Sequence, residues 1–297
     1  MLLLLAIVWG SSFILMKRGM VDKATQEAIF NNNQVATLRM LLAAGVFLPI
    51  GLRYIRIVKN KQMFFNLAGV AFLGNFLPAF LFTFAETGIS SGYAGMLNSC
   101  TPIFTLLIGT WLFRQPLIKL QIFGVLIGTI GIIGLVNGVA VVDTSGRWYH
   151  VFAVVCATIC YASSVNIIRH NLGHLKPIQV TSVAFTFSFL PALVLFFIFH
   201  VPSTIATNDY APTALIYISL LAIIGTALAV LLFNHLINRS SALFASSVTY
   251  FIPVVAVIIG YLDGEIISGM QVISMIVILL GVFLANALPK IKRKSKQ

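Results

Sequence analysis

Charge is what this chain has least of. Only 9% of its 297 residues are Asp, Glu, Lys or Arg, against about 25% in ordinary soluble domains. A soluble globule of this length could not clothe its surface with so few, which excludes a conventional cytosolic enzyme and any disordered or fibrous class. Acidic residues are the scarcest: Asp22, Glu27, Glu86, Asp143, Asp209, Asp263 and Glu265 are all there are, and every one falls between apolar runs. An intramembrane enzyme working through paired carboxylates is thereby excluded. Cysteine is limited to Cys100, Cys156 and Cys160, an odd number placed inside apolar runs. They cannot form a disulfide framework and read as small packing residues.

Two fragments imitate chemistry without its context. Gly88–Gly92 fits G-x-S-x-G, but a nucleophile elbow needs a strand-to-helix turn and a His partner. Ser90 is expected to cap a helix instead. His170 and His174 have the i, i+4 spacing of a metal pair, yet Gly173 and Pro177 interrupt the helix and no third ligand follows. No catalytic residue, no metal and no cofactor is expected, and the protein is not read as an enzyme.

What the chain has in abundance is apolar length. Hydrophobic residues make up 59% and mean hydropathy is +1.01. Apolar runs separate at 2–20, 35–54, 63–85, 90–113, 119–138, 149–169, 177–200, 213–237, 241–262 and 268–288. About 20 apolar residues cross a bilayer, so the pattern predicts an all-α polytopic membrane protein with ten transmembrane helices. The first run has no basic residue before it, unlike a signal peptide. It reads as a retained helix, short enough that a few residues before Met1 are expected. The stems of Lys17 and Arg18 are expected to snorkel to its end, and Arg39 to snorkel outward from the second run.

The net charge of +12 raises the question of a nucleic-acid partner, and its distribution answers it. With ten spans and both termini on one side, fourteen of the 19 Lys and Arg fall on that side. Lys17, Arg18, Lys23 and Arg147 fall opposite, and Arg39 lies within the second run. The bias is a topology signal that places both termini in the cytoplasm. The basic tail 290–297 would rest there, near lipid headgroups. The expected partners are membrane lipids and a small-molecule substrate, with no nucleic acid.

The chain also repeats itself. A shift of 151 aligns Ala71/Ala222, Gly74/Gly225, Phe82/Phe233, Ser90/Ser241, Pro102/Pro253 and Gly109/Gly260, and a shift of 152 aligns Ser11 and Ser12 with Ser163 and Ser164. Ordered matches across several runs argue for duplication of a five-helix unit, 1–138 and 149–289. Five is odd, so the second copy must insert upside down. Inverted repeats are the architecture of alternating-access transporters, with the substrate site where the halves meet at mid-membrane.

Polar side chains in lipid are costly and turn toward the bundle interior. Those near mid-run define a candidate cavity: Ser11, Ser12, Asn75, Asn98, Ser99, Tyr161, Ser164, Thr226, Ser247 and Tyr250, with Trp9 and Phe76 as aromatic walls. For each hydroxyl the alternative is a bond to its own helix. Pro102 and Pro253 free backbone carbonyls at matching depth and are candidate gating kinks. Gly124, Gly128, Gly131, Gly134 and Gly138 form a close-packing face, either within the chain or at a homodimer seam, so monomer and homodimer both stand.

The WGSSF of Trp9–Phe13 followed by Lys17 resembles the opening of EamA-type members of the drug/metabolite transporter superfamily. Arg39 early in the second helix, Thr101–Phe104, Phe251-Ile252-Pro253 and Gly264-Glu265 are similar to that family as well. In the first half Arg114-Gln115 stands where the family often has an acidic residue. The resemblance spans nearly the whole chain. It implies a bacterial inner-membrane exporter or permease for amino acids, metabolites or drugs. Its cavity would be lined by helices one, three, four, six, eight and nine. The sequence reading is a carrier of neutral or zwitterionic solutes such as amino acids. The alternatives are a multidrug or nucleotide-sugar/organic-anion carrier of the same superfamily, and an intramembrane enzyme.

Overall fold

The computed structural model describes residues 1–115, 118–139, 148–239 and 247–287. Among these residues the chain is helical apart from turns and one isolated bridge, Val21 to Ala28. The helices are α1 (Leu2–Met20), α2 (Asn32–Tyr54), α3 (Lys61–Ala85), α4 (Ser91–Asn98), α5 (Thr101–Trp111) and α6 (Lys119–Val139). They continue with α7 (Trp148–Asn171), α8 (Pro177–Ile198), the short α9 (Val201–Thr207), α10 (Ala211–Ile237), α11 (Ile252–Leu262) and α12 (Gly269–Ala287). Six of them, α1, α2, α3, α7, α8 and α10, are long and apolar enough to cross a membrane. Helices α6, α11 and α12 are shorter apolar helices. Basic residues 290–297 and the loop with Asp143 and Arg147 lie outside the described residues.

Local sequence fixes where the helices start. Asn31 and Gln34 form a capping box, each side chain accepting from the other's backbone N–H at 2.9 Å, which closes two of the amides a helix start leaves open. Asn60 accepts from Met63 N at 2.8 Å, and Ser90 caps α4 through Tyr93 N at 3.3 Å, as expected of it. Pro177 begins α8, where its fixed φ suits the first turn and its missing N–H costs nothing.

Leu4, Phe65, Ile130, Phe152, Leu190 and Ile273 are all more than half exposed. An apolar coat of this extent fits hydrocarbon as solvent rather than water. Helix α2 packs along α8, α6 along α12, α4 against α11, α3 against α7 and α1 against α10 and α11. The glycines of α6 account for one of these contacts. A Cβ on Gly124 would lie 2.6 Å from Gly281 O, and one on Gly131 would lie 2.7 Å from Ile278 N. Only a bare backbone lets α12 come this close, so the glycine face packs within the chain.

Three expectations need correction. The fourth apolar run is not one helix: α4 ends at Asn98, a turn follows at Ser99-Cys100, and α5 begins at Thr101. Pro102 and Pro253 therefore stand at the first turns of α5 and α11, where no intrahelical bond is lost. They start helices after a break and do not kink continuous ones. Lys17 and Arg18 do not snorkel free: Lys17 Nζ lies 3.1 Å from Glu265 Oε1 and 3.5 Å from Asp263 Oδ2, and Arg18 pairs with Asp263.

Candidate functional site

Two of the long helices are loosened in the middle. Helix α3 passes through a π-helical turn at Phe72–Phe76, and α10 through another at Leu221–Leu228. Such turns widen a helix and leave carbonyls short of partners; they recur at functional sites. Here side chains supply the partners. Asn75 Nδ2 donates to Val70 O at 3.4 Å, and Thr226 Oγ1 donates to Leu221 O at 2.9 Å, each reaching five residues back.

Between these turns lies a central cavity in which about 130 Å³ is open to the centre of a water molecule. One water needs about 10–15 Å³ on that measure, so the space suits a solute of roughly ten heavy atoms. Both halves of the chain build the wall, and they do so in exchanged pairs. Trp9 meets Phe233 edge-to-face with ring centroids 5.0 Å apart, and Tyr161 stacks on Phe82 at 5.9 Å. The backbone at Gly225 approaches the Ser12 side chain, where a Cβ would lie 2.8 Å from its Oγ, and Gly74 approaches Ser164 in the same way. Trp9 Nε1 further donates to Gly225 O at 3.1 Å.

Of the residues singled out from the sequence, Trp9, Ser12, Asn75, Asn98, Tyr161, Ser164 and Thr226 line this cavity. Asn98 Oδ1 accepts from Thr101 Oγ1 at 3.3 Å, across the break between α4 and α5. Three others are corrected. Ser11 bonds Val8 O at 3.0 Å and does not line the cavity. Ser99 is buried and bonds Met96 O in its own turn. Phe76 belongs to a separate aromatic cluster with Phe72 and Phe80. Ser247 and Tyr250 fall in a short 3₁₀ turn, and their side chains lie outside the described residues.

The residue that sequence reasoning turns the wrong way is Arg39. It does not snorkel outward. It is 8% exposed and lines the cavity, with Nε donating to Thr226 Oγ1 at 2.8 Å and Nη1 reaching Met16 Sδ at 3.5 Å. Phe13, Phe82, Phe233, Asn234 and Thr249 also line it. Among the described residues no acidic side chain does. Glu86, just past the end of α3, has both carboxyl oxygens buried without a hydrogen-bond partner. Burial holds its carboxyl well above the usual range, and Glu265 adds to the effect.

At one end of the bundle an ionic cluster ties α1, the start of α4 and the end of α11 together. Gly264, with φ of +90°, turns the chain after α11 so that Glu265 reaches the start of α4. Its carboxylate accepts from Ser91 N and Gly92 N, both at 2.9 Å, an anion on a helix N-terminus. Arg18, Lys17 and Lys23 gather on Asp263 beside it. His170, by contrast, stacks on Phe113 and meets Gln115. No cluster of metal-ligating side chains occurs among the described residues.

A helical bundle with an apolar coat, two discontinuous segments and an aromatic central cavity defines the class: an integral membrane protein with a cavity at its centre. The EamA-like transporter family matches residues 1–137 and again 148–287, and the chain belongs to that family. It is 28% identical over 303 residues to the uncharacterized inner membrane transporter YedA of Escherichia coli K12, covering 96% of this chain and 91% of that protein. It is 22% identical over 298 residues to a protein of Salmonella typhimurium named a probable amino-acid metabolite efflux pump, covering 95% and 92%. A solved crystal structure shares the fold, with a TM-score of 0.65 at 13% identity over 100% of this chain and 97% of that one.

Proposed function

We propose that this transporter works by alternating access, as two inverted five-helix repeats over 1–138 and 149–289. In this reading it exports or passes small neutral or zwitterionic metabolites, amino acids among them, across a bacterial inner membrane. Both termini and the tail 290–297 face the cytoplasm, in keeping with the basic bias of the loops. The observation that carries the reading is the exchanged wall: Trp9 on Phe233 and Tyr161 on Phe82, each pair joining one half to the other. A cavity walled by both repeats opens to either side when one repeat rocks against the other. The names of the relatives from Salmonella and Escherichia are consistent with this function and membrane.

The absence of an acidic side chain among the described lining residues separates this carrier from exporters of lipophilic cations, which need a carboxylate for the proton or the cation. Purified protein in liposomes should move an amino acid such as leucine without dependence on a pH gradient, and should not move tetraphenylphosphonium. Gradient-driven flux of tetraphenylphosphonium that Glu86→Gln abolishes would overturn the reading.

A further inference from the structure

Among the described residues Arg39 is the one charged side chain that lines the cavity. It lies about 10 Å along α2 from the first helical residue, and its surroundings answer its shape better than its charge. Thr226 offers a hydroxyl oxygen and Met16 a thioether, both neutral acceptors, while Tyr161 stands beside it in the wall. Among the described residues every ion pair belongs to Lys17, Arg18 or Lys23, and none to Arg39. A guanidinium carries five N–H donors and a full charge. Buried charges are paired or carry a steep desolvation cost. Glu86 acts on Arg39 only through space, beyond ion-pair distance; a cation held in a fixed position with no carboxylate paired to it among the described residues, facing the cavity, is a preorganised site for one.

We infer that Arg39 is the anchor for a carboxylate of the transported solute, so that the cavity takes small monocarboxylates with apolar side chains, zwitterionic amino acids included. This rests on the carrier reading above, fixes the carboxylate as the group recognised, and extends the solutes from zwitterions to monoanions. The guanidinium fork matches a carboxylate with two parallel hydrogen bonds. The pairs Trp9–Phe233 and Tyr161–Phe82 supply the apolar contact for the rest of the molecule. The single cation and the modest volume argue against phosphate dianions and sugar nucleotides, which carry more charge and more atoms. If Arg39 served only as a strut from α2 to Thr226 on α10, a solute's carboxylate would make no difference.

The test uses three probes of one shape. N-acetyl-L-leucine carries a carboxylate, N-acetyl-L-leucinamide lacks it, and L-leucine is the zwitterion. Each is assayed by flux into proteoliposomes and by its shift of thermal unfolding in detergent, since a ligand of the folded state stabilises it. The parent protein should prefer both acids over the amide by about tenfold or more, the range of a hydrogen bond to a charged group. Arg39→Lys should keep part of that preference, and Arg39→Gln should lose it. The parent comparison stands even if a variant fails to fold. Equal handling of acid and amide by the parent, or an undiminished preference in folded Arg39→Gln, would overturn the anchor and leave the carrier standing. Flux of tetraphenylphosphonium with no response to any of the three would overturn the anchor and the proposed function together.

Discussion

Asn75 and Thr226 stand 151 residues apart, on the π-helical turns of α3 and α10, and each side chain donates to the carbonyl five residues before it. Both face the same cavity. The two residues differ in chemistry but not in what they do. Each closes a loosened turn so that an irregular backbone is tolerated at depth. Thr226 has a second duty, as acceptor for Arg39.

That double role makes Thr226 sensitive to the loss of one oxygen. Thr226→Val keeps the shape but strands Leu221 O and the Arg39 Nε–H, and should destabilise by about 1–3 kcal/mol. Thr226→Ser should cost much less. Thermal unfolding in detergent compares them, and equal midpoints for the two variants would contradict the assignment.

Asn98 lines the cavity and Ser11 does not. Asn98→Ala should lower flux about two- to tenfold, the worth of one ordinary hydrogen bond, with membrane expression retained. Ser11→Ala should leave flux unchanged. Flux at the parent rate in Asn98→Ala would make it a packing residue.

Glycine substitutions should split by location. A side chain at Gly124 meets the backbone of α12, and Gly124→Val should destabilise by about 1–3 kcal/mol through overpacking. Gly45, exposed on α2 with no atom within 4 Å of an added Cβ, should accept Gly45→Ala with a gain of about 0.5–1 kcal/mol. Midpoints that move in the same direction would refute the packing account of α6.

Orientation is open to direct labelling. With Cys100, Cys156 and Cys160 replaced by alanine, cysteines at Lys59 and Asp143 should react from opposite sides. An impermeant reagent on intact cells should modify the one at 143 alone; modification at 59 alone would invert the topology.

Asp263 should give the proposed closure of its end of the bundle a pH dependence. Burial acts to raise its carboxyl, but the Arg18 hydrogen bond and the charges of Arg18 and Lys17 outweigh this and hold it below the ordinary 3.8. A carboxyl held low in the closed form strengthens closure above its value in the open form, and that contribution fades as the pH falls through the lowered value. In a Glu86→Gln background, which removes the raised carboxyl interacting with this cluster, reactivity of a Ser12→Cys probe from that end should be flat from about pH 8 to 5 and rise below about pH 4. A rise between pH 7 and 5 would assign control to another group.

The sequence shows depth better than direction. All ten apolar runs contain helix, and the identities Gly74/Gly225 and Phe82/Phe233 mark real cavity positions. A search for identities passes over Asn75 and Thr226, which align at the same shift of 151 but share only a role. Arg39 is easily misread because its place in α2 fixes how deep it lies, while the side it faces depends on α1 and α10 packing around it. Glu86 shows the same limit: a helix end is solvated only if nothing folds over it. The breaks before Pro102 and Pro253 are visible as prolines, but a proline reads equally as a kink or a beginning.

Glu265 and Arg114 also align at a shift of 151, and they have opposite charge. In the inverted repeat proposed above the two ends are equivalent in geometry, and among the described residues a lock is seen at one of them, where a carboxylate seals the first turn of α4 and basic residues crowd around its neighbour. In the proposed cycle, such a latch at one end makes the two postures unequal. Unlatching requires several charge-assisted bonds to break together, so that half of the cycle should be the slower, the more sensitive to temperature and the more easily hastened by salt.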